Sequence, residues 1–157
     1  MTNERIRPAV AADAPEVKAV IDAAFRPYIA RIGAVPVPMK ADHAANVAAG
    51  RVFVVRAPGG AAGTARVTGL VVVEPRGGHL HLDVIAVRPD AHGTGVGRLL
   101  LELVDARARA LGLSGIRLFT HVMMWENQRI YPKFGYEVVE PGAIGPYNRI
   151  EYHKRLD

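Results

Sequence analysis

The stretch 87–104, VRPDAHGTGVGRLLLELV, leaves an apolar strand, crosses a turn with glycines at 93, 95 and 97, and enters a helix. The helix shows in its period. Val96, Leu99, Leu100, Leu103, Val104 and Leu111 recur at i, i+3, i+4 and i+7 spacing, while Arg98, Glu102, Asp105 and Arg109 line the other face. Gly112 ends it. A helix start of this kind presents unpaired N–H groups and the positive end of the dipole, so it can hold a phosphate without a lysine. Gly93, Gly95 and Gly97 permit positive φ and a close approach of the backbone to an anion. A turn that merely starts a helix does not explain three alternating glycines. Two nucleotide-binding patterns fail here. A Walker A loop needs a Gly-Lys pair, which the chain lacks, and a dinucleotide site needs an acidic residue ending the next strand, GIRLFTH at 115–121, which has none.

Working outward, His79–Val87 has the period of a strand, with Leu80, Leu82, Val84 and Ala86 alternating with His79, His81, Asp83 and Ile85. Gly77 and Gly78 form a tight turn before it, and the strand candidates Val52–Arg56 and Ala65–Glu74 are joined by the glycine-rich APGGAAGT, a hairpin signal. Toward the N-terminus, Arg5–Arg7 is a short strand, Asp13 caps a helix over Ala14–Phe25, and a second helix spans Asp42–Ala49. Between the helices, Pro27, Gly33, Pro36 and Pro38 predict an ordered but irregular loop. Beyond the long helix come a strand at Ile116–Thr120, a helix at Asn127–Phe134, and strands at Tyr136–Val139 and Arg149–His153. The resulting order, β-α-α-β-β-β-α-β-α-β-β, is a three-layer α/β pattern with antiparallel hairpins at its middle.

The composition bounds the function. At 157 residues the chain is expected to form a single domain, 1–157, with a sizeable core, since half its residues are apolar. With no cysteine there is no disulfide scaffold, zinc ribbon or thiol nucleophile, and no metal site is expected. Lys plus Arg exceed Asp plus Glu by 20 − 15 = +5, which attracts anions, but no basic run of five or more supports a nucleic-acid tail. No segment approaches the ~18 apolar residues of a membrane span, and charges occupy the N-terminus where a signal peptide needs its apolar core. The expectation is a cytoplasmic protein with no nucleic-acid or membrane partner, as a monomer or a homodimer.

VRPDAHGTGVGRLL resembles the acyl-CoA-binding signature of the GCN5-related N-acetyltransferases (GNAT), [RQ]xxGx[GA] between the fourth strand and third helix, with His92 where that family has Arg or Gln. ENQRIYPKFGYE, 126–137, resembles the family's late segment, an Asn followed by YxKxGF, and matches it at Tyr131, Lys133, Gly135 and Tyr136. The resemblance implies the GNAT fold: three α/β/α layers and a mixed, mostly antiparallel sheet splayed between its fourth and fifth strands. It also implies acetyl-CoA as co-substrate and transfer of its acetyl group to a primary amine of a small molecule or protein. A non-catalytic acyl-CoA-binding domain is the alternative.

Residue by residue, the resemblance places the pyrophosphate on the amides from Gly93 through Thr94, Gly95 and Val96 to Gly97, with His92 as a donor beside them; Arg88 and Arg98 are further sources of charge, although each reads equally well as a solvated surface arginine. It pairs the pantetheine arm with the backbone of Ile85, Ala86 and Val87, brings Asn127 to the cofactor arm, and makes Tyr131 the acid that protonates the leaving thiolate. In some relatives a Glu near this part of the fourth strand is the base. That makes His81 the candidate here, with Asp83 or His79 assisting, although paired polar residues at a sheet rim read equally well. His121 is a second candidate, and Tyr28, Arg31 and Met39 fall where family members shape the acceptor pocket. With no thiol for an acyl-enzyme, direct transfer within a ternary complex is the expected route.

Overall fold

A computed structural model describes residues 5–57, 66–144 and 149–156. The strands are β1 (Ile6–Pro8), β2 (Val52–Arg56), β3 (Val67–Arg76), β4 (His79–Val87), β5 (Gly115–His121), β6 (Glu137–Ile144) and β7 (Arg149–Arg155). They form one mixed sheet of order β1-β2-β3-β4-β5-β7-β6. The helices are α1 (Ala14–Phe25), α2 (Tyr28–Ile32), α3 (His43–Ala48), α4 (Val96–Ala110) and α5 (Trp125–Lys133). No described helix is long and apolar enough to cross a membrane. The chain divides into two compact units, Met1–Val72 with Val84–Leu100, and Val73–Asp83 with Leu101–Asp157.

In the first unit β2 pairs antiparallel with β1 and β3. Val17, Val20 and Ile21 of α1 are fully buried, as are Val54, Val55, Leu70 and Val71 of the strands. The first turn of α1 corrects one expectation. Asp13 does not cap that helix with its side chain; it accepts the Arg7 guanidinium at 2.7 and 3.0 Å and the Val10 amide at 2.8 Å, because a 3-10 turn over Ala11–Asp13 precedes the helix. Glu16 is also used: its Oε2 accepts the Val67 amide at 2.7 Å and ties the start of β3 to α1. The expected irregular loop after Pro27 contains α2, ended by Gly33 at φ 80°, and a 3-10 turn at Val37–Lys40. Strand β3 lies two residues later than its sequence pattern predicts, and the APGGAAGT connection lies outside the described residues from 58 onward.

Gly69 of β3 determines where α4 begins. A Cβ there would sit 2.7 Å from Val96 Cγ1 and 3.1 Å from both the Ala86 carbonyl oxygen and Leu100 Cδ1. Only a glycine lets the first turn of α4 press this closely on the strand.

In the second unit β4 pairs parallel with β5 from His79↔Gly115 to Leu82↔Leu118, and β7 pairs antiparallel with both β5 and β6. Both strands run on beyond the last registered pair, β4 to Val87 and β5 to His121, so the ladder opens. The pleat sends Ile116, Leu118 and Thr120 of β5 and Tyr152 of β7 into the core. On the opposite face, register aligns His81, Arg117, His153 and Glu137 across four strands.

Candidate active site

The glycine turn forms as a consequence of its backbone angles. Gly93 and Gly95 have φ of 80° and 88°, left-handed values that cost a residue with a Cβ about 1–2 kcal/mol. Gly97 departs from the sequence reading: it lies inside α4 without a positive φ, so the turn does not draw on its backbone freedom. The Thr94 hydroxyl and amide both bond to the Ala91 carbonyl, which pins the turn to the 3-10 turn Pro89–Ala91. The first helical bond runs from Leu99 N–H to the Gly95 carbonyl at 3.0 Å. The amides of Val96, Gly97 and Arg98 therefore precede any intrahelical acceptor. A Cβ at Gly93, Gly95 or Gly97 would meet nothing within 4 Å, so no side chain packs against these glycines. His92 and Arg98 are exposed.

Arg88 does not serve this turn. Its Nε donates to the Val67 carbonyl at 2.7 Å and its Nη2 lies 3.5 Å from Glu16, so its charge is spent inside the fold. Beside it, the edge of β4 at Ile85, Ala86 and Val87 lies beyond the last β5 pair, and its backbone has no β5 partner among the described residues. Tyr28, Arg31 and Met39 are half-buried in the same unit, with the Arg31 guanidinium 5.0 Å from the Tyr28 ring centre.

The second unit carries the polar side chains. Asn127 is not an N-cap. It lies in the first turn of α5, and its amide donates to Thr120 Oγ1 at 3.0 Å while also lying 3.6 Å from Met124 Sδ. With both donors of that amide directed inward, the carbonyl oxygen is left as an acceptor. Thr120, buried at the end of β5, is the partner that the sequence reading missed; no local pattern marks it. Tyr131 is 5% exposed, with its ring centre 5.6 Å from those of Tyr136 and Tyr152. Burial pushes the phenols of both neighbours above their ordinary range, so Tyr131 is flanked by uncharged rings.

His81 is half-buried. Burial holds its imidazole below the ordinary histidine range, the Arg76 and Arg117 guanidinia add to that, and Asp83 opposes it. Asp83 is exposed and pairs at 3.0 Å with Arg76, whose Nη2 also holds Glu74 at 2.6 Å. His79 Nδ1 lies 3.2 Å from the Gly77 carbonyl, an arrangement that requires the proton on Nδ1. His121 Nδ1 accepts the Met123 amide at 3.1 Å, which spends its lone pair and leaves Nε2 protonated. That makes His121 a poor base. No group of three or more metal-binding side chains occurs among the described residues.

Comparisons agree with this architecture. The model of the acetyltransferase (GNAT) domain matches residues 48–138. The chain belongs to the GNAT acetyltransferase family. It is 35% identical over 85 residues to an IAA acetyltransferase of Azospirillum brasilense, a match covering 54% of this chain and 54% of that protein, about half the length of each. Among solved structures it is similar to the PaiA N-acetyltransferase of Thermoplasma acidophilum in complex with coenzyme A, with TM-score 0.81 and 13% identity over 96% of this chain and 98% of that one. It is also similar to the ribosomal-protein-S18-alanine N-acetyltransferase of Escherichia coli, with TM-score 0.72 and 16% identity over 97% and 93%. At these identities the structural likeness shows the fold, an α/β arrangement on a mixed, mostly antiparallel sheet that opens between β4 and β5.

Proposed function

We propose that the protein is an acetyl-CoA-dependent N-acetyltransferase that moves the acetyl group directly to a primary amine. The observation that carries this is the left-handed Gly93–Gly95 turn opening α4, whose first amides have no helical acceptor and whose glycines no side chain crowds. Such a turn suits the pyrophosphate, and the unpaired edge of β4 at Ile85–Val87 suits the amides of the pantetheine arm. In the second unit the Asn127 side chain, its amide donating to Thr120, leaves its carbonyl oxygen to accept from an amide. Tyr28, Arg31 and Met39 are assigned to the acceptor side.

Acetyl-CoA supplies an activated carbonyl. The amine must arrive neutral, and a lysine-like amine of pKa ~10.4 is mostly protonated at pH 7. As its nitrogen bonds to the carbonyl carbon, the remaining N–H becomes acidic. His81, held neutral by burial and by two guanidinia, takes that proton. Asp83 keeps Arg76 in place beside it. The C–S bond breaks, and Tyr131 donates to the departing thiolate. The tyrosine regains its proton as the products leave.

Tyr131→Phe tests the assignment. Thiol release with an accepted amine should fall by roughly 100-fold or more, while acetyl-CoA affinity stays within about twofold. Unchanged transfer removes Tyr131 as the acid. Acetyl-CoA binding without turnover of any amine by the wild-type protein would identify a binding domain instead.

A further inference from the structure

We infer that Arg117 anchors a carboxylate of the acceptor, and that the acceptor is therefore an aminocarboxylate. This rests on His81 as the group that takes the amine's proton. Arg117 is the direct register partner of His81 in the β4–β5 ladder, so both side chains rise from the same face of adjacent strands about 4.8 Å apart. On its other side, β7 places His153 opposite Arg117 and Glu151 next along the same face.

The guanidinium of Arg117 is underfilled. Its ion pair, Nη1 to Glu151 Oε2, is 3.4 Å long, and its Nε is shielded from solvent with no acceptor. Other arginines of this chain are bound more tightly. Arg7 holds Asp13 at 2.7 and 3.0 Å, and Arg76 holds Glu74 at 2.6 Å and Asp83 at 3.0 Å. Arg76 thus occupies the two carboxylates on the β3–β4 side of His81, leaving Arg117 as the neighbouring guanidinium with capacity to spare. The Arg117 side chain is partly exposed and its ion pair with Glu151 is long, so its terminal Nη groups can take a second anion, and the planar two-oxygen anion that fits a guanidinium is a carboxylate.

The test is thiol release from acetyl-CoA with glycine, β-alanine and γ-aminobutyrate, each set against its carboxamide. The wild type should favour the carboxylates. Arg117→Gln should raise the KM of the carboxylates by roughly 10- to 100-fold relative to the carboxamides and leave acetyl-CoA affinity intact, with partial recovery in Arg117→Lys, which keeps a positive charge beside His81. Glu151→Gln, which frees the guanidinium, should move the carboxylate KM the opposite way, and it decides the matter if Arg117→Gln does not fold. A carboxylate preference that survives Arg117→Gln, or a Glu151→Gln KM that is unchanged or raised, overturns the inference. Turnover of carboxamides with no carboxylate preference overturns the anchor alone. No turnover of any amine overturns the transferase reading beneath it.

Discussion

Gly95→Ala separates the cradle from the scaffold. At φ 88° the new methyl meets no protein atom within 4 Å, so the penalty is backbone conformation rather than a clash. Holding alanine in the left-handed region costs about 1–2 kcal/mol, which outweighs the fraction of a kcal/mol gained by stiffening the unfolded chain. For a chain of this length each kcal/mol moves Tm by about 2–4 °C, so the variant should melt roughly 2–6 °C lower. If the alanine instead escapes to negative φ, the Gly95 carbonyl swings away from the Leu99 amide and the outward amides of the turn lose their common direction. Losing one charge-assisted amide bond to phosphate costs about 1.5–3 kcal/mol, or roughly 10- to 150-fold in affinity. Calorimetric titration with acetyl-CoA and a thermal melt of the unliganded protein read the two effects separately. Gly97→Ala is the control. Its backbone is already helical and its Cβ space is open, so the unliganded protein should gain up to about 1 kcal/mol with little change in acetyl-CoA affinity. The strained branch must lower Tm and the escape branch must weaken acetyl-CoA binding, so a Gly95→Ala protein with both Tm and acetyl-CoA affinity unchanged refutes the reasoning.

Two further outcomes follow from side chains that the fold has already committed. Arg88→Ala removes the 2.7 Å bond to the Val67 carbonyl, so it should destabilise the protein by about 1–3 kcal/mol while acetyl-CoA affinity stays within about threefold; a large affinity loss at unchanged Tm would return Arg88 to the phosphates. His43 is buried with neither ring nitrogen bonded, and burial, the largest cause, holds its pKa below the ordinary 6.5, with Lys18 adding to this and Asp22 opposing it. A histidine whose folded pKa is depressed contributes stability that is present above the unfolded value and lost as pH falls through it. Melts from pH 7.5 to 5 should therefore show His43→Leu gaining on the wild type as pH drops, and parallel curves would contradict that.

The sequence by itself determined the element order, the α4 period, the glycine turn and the late Asn–Tyr segment, because each is a local pattern of period, punctuation or short motif. It also placed α1 at Ala14–Phe25, where the apolar period and Pro15 coincide. Partners distant in the chain were decided by the tertiary structure alone. Nothing near residue 88 says that its guanidinium belongs to Val67 and Glu16, or that Asp13 serves Arg7 and Val10 rather than the helix it precedes. Gly69 was partly legible, since a lone glycine in the apolar run VTGLVVV marks a close approach, but that Val96 and Leu100 press on it emerges only on folding. Likewise the sequence offered three histidines, His79, His81 and His121, for the base. Hydrogen bonds committed His79 and His121, burial and two guanidinia kept His81 neutral, and strand register set Arg117 beside it. Chain pattern specifies local conformation, whereas a proton's affinity and a guanidinium's spare capacity depend on what the sheet brings within a few ångströms.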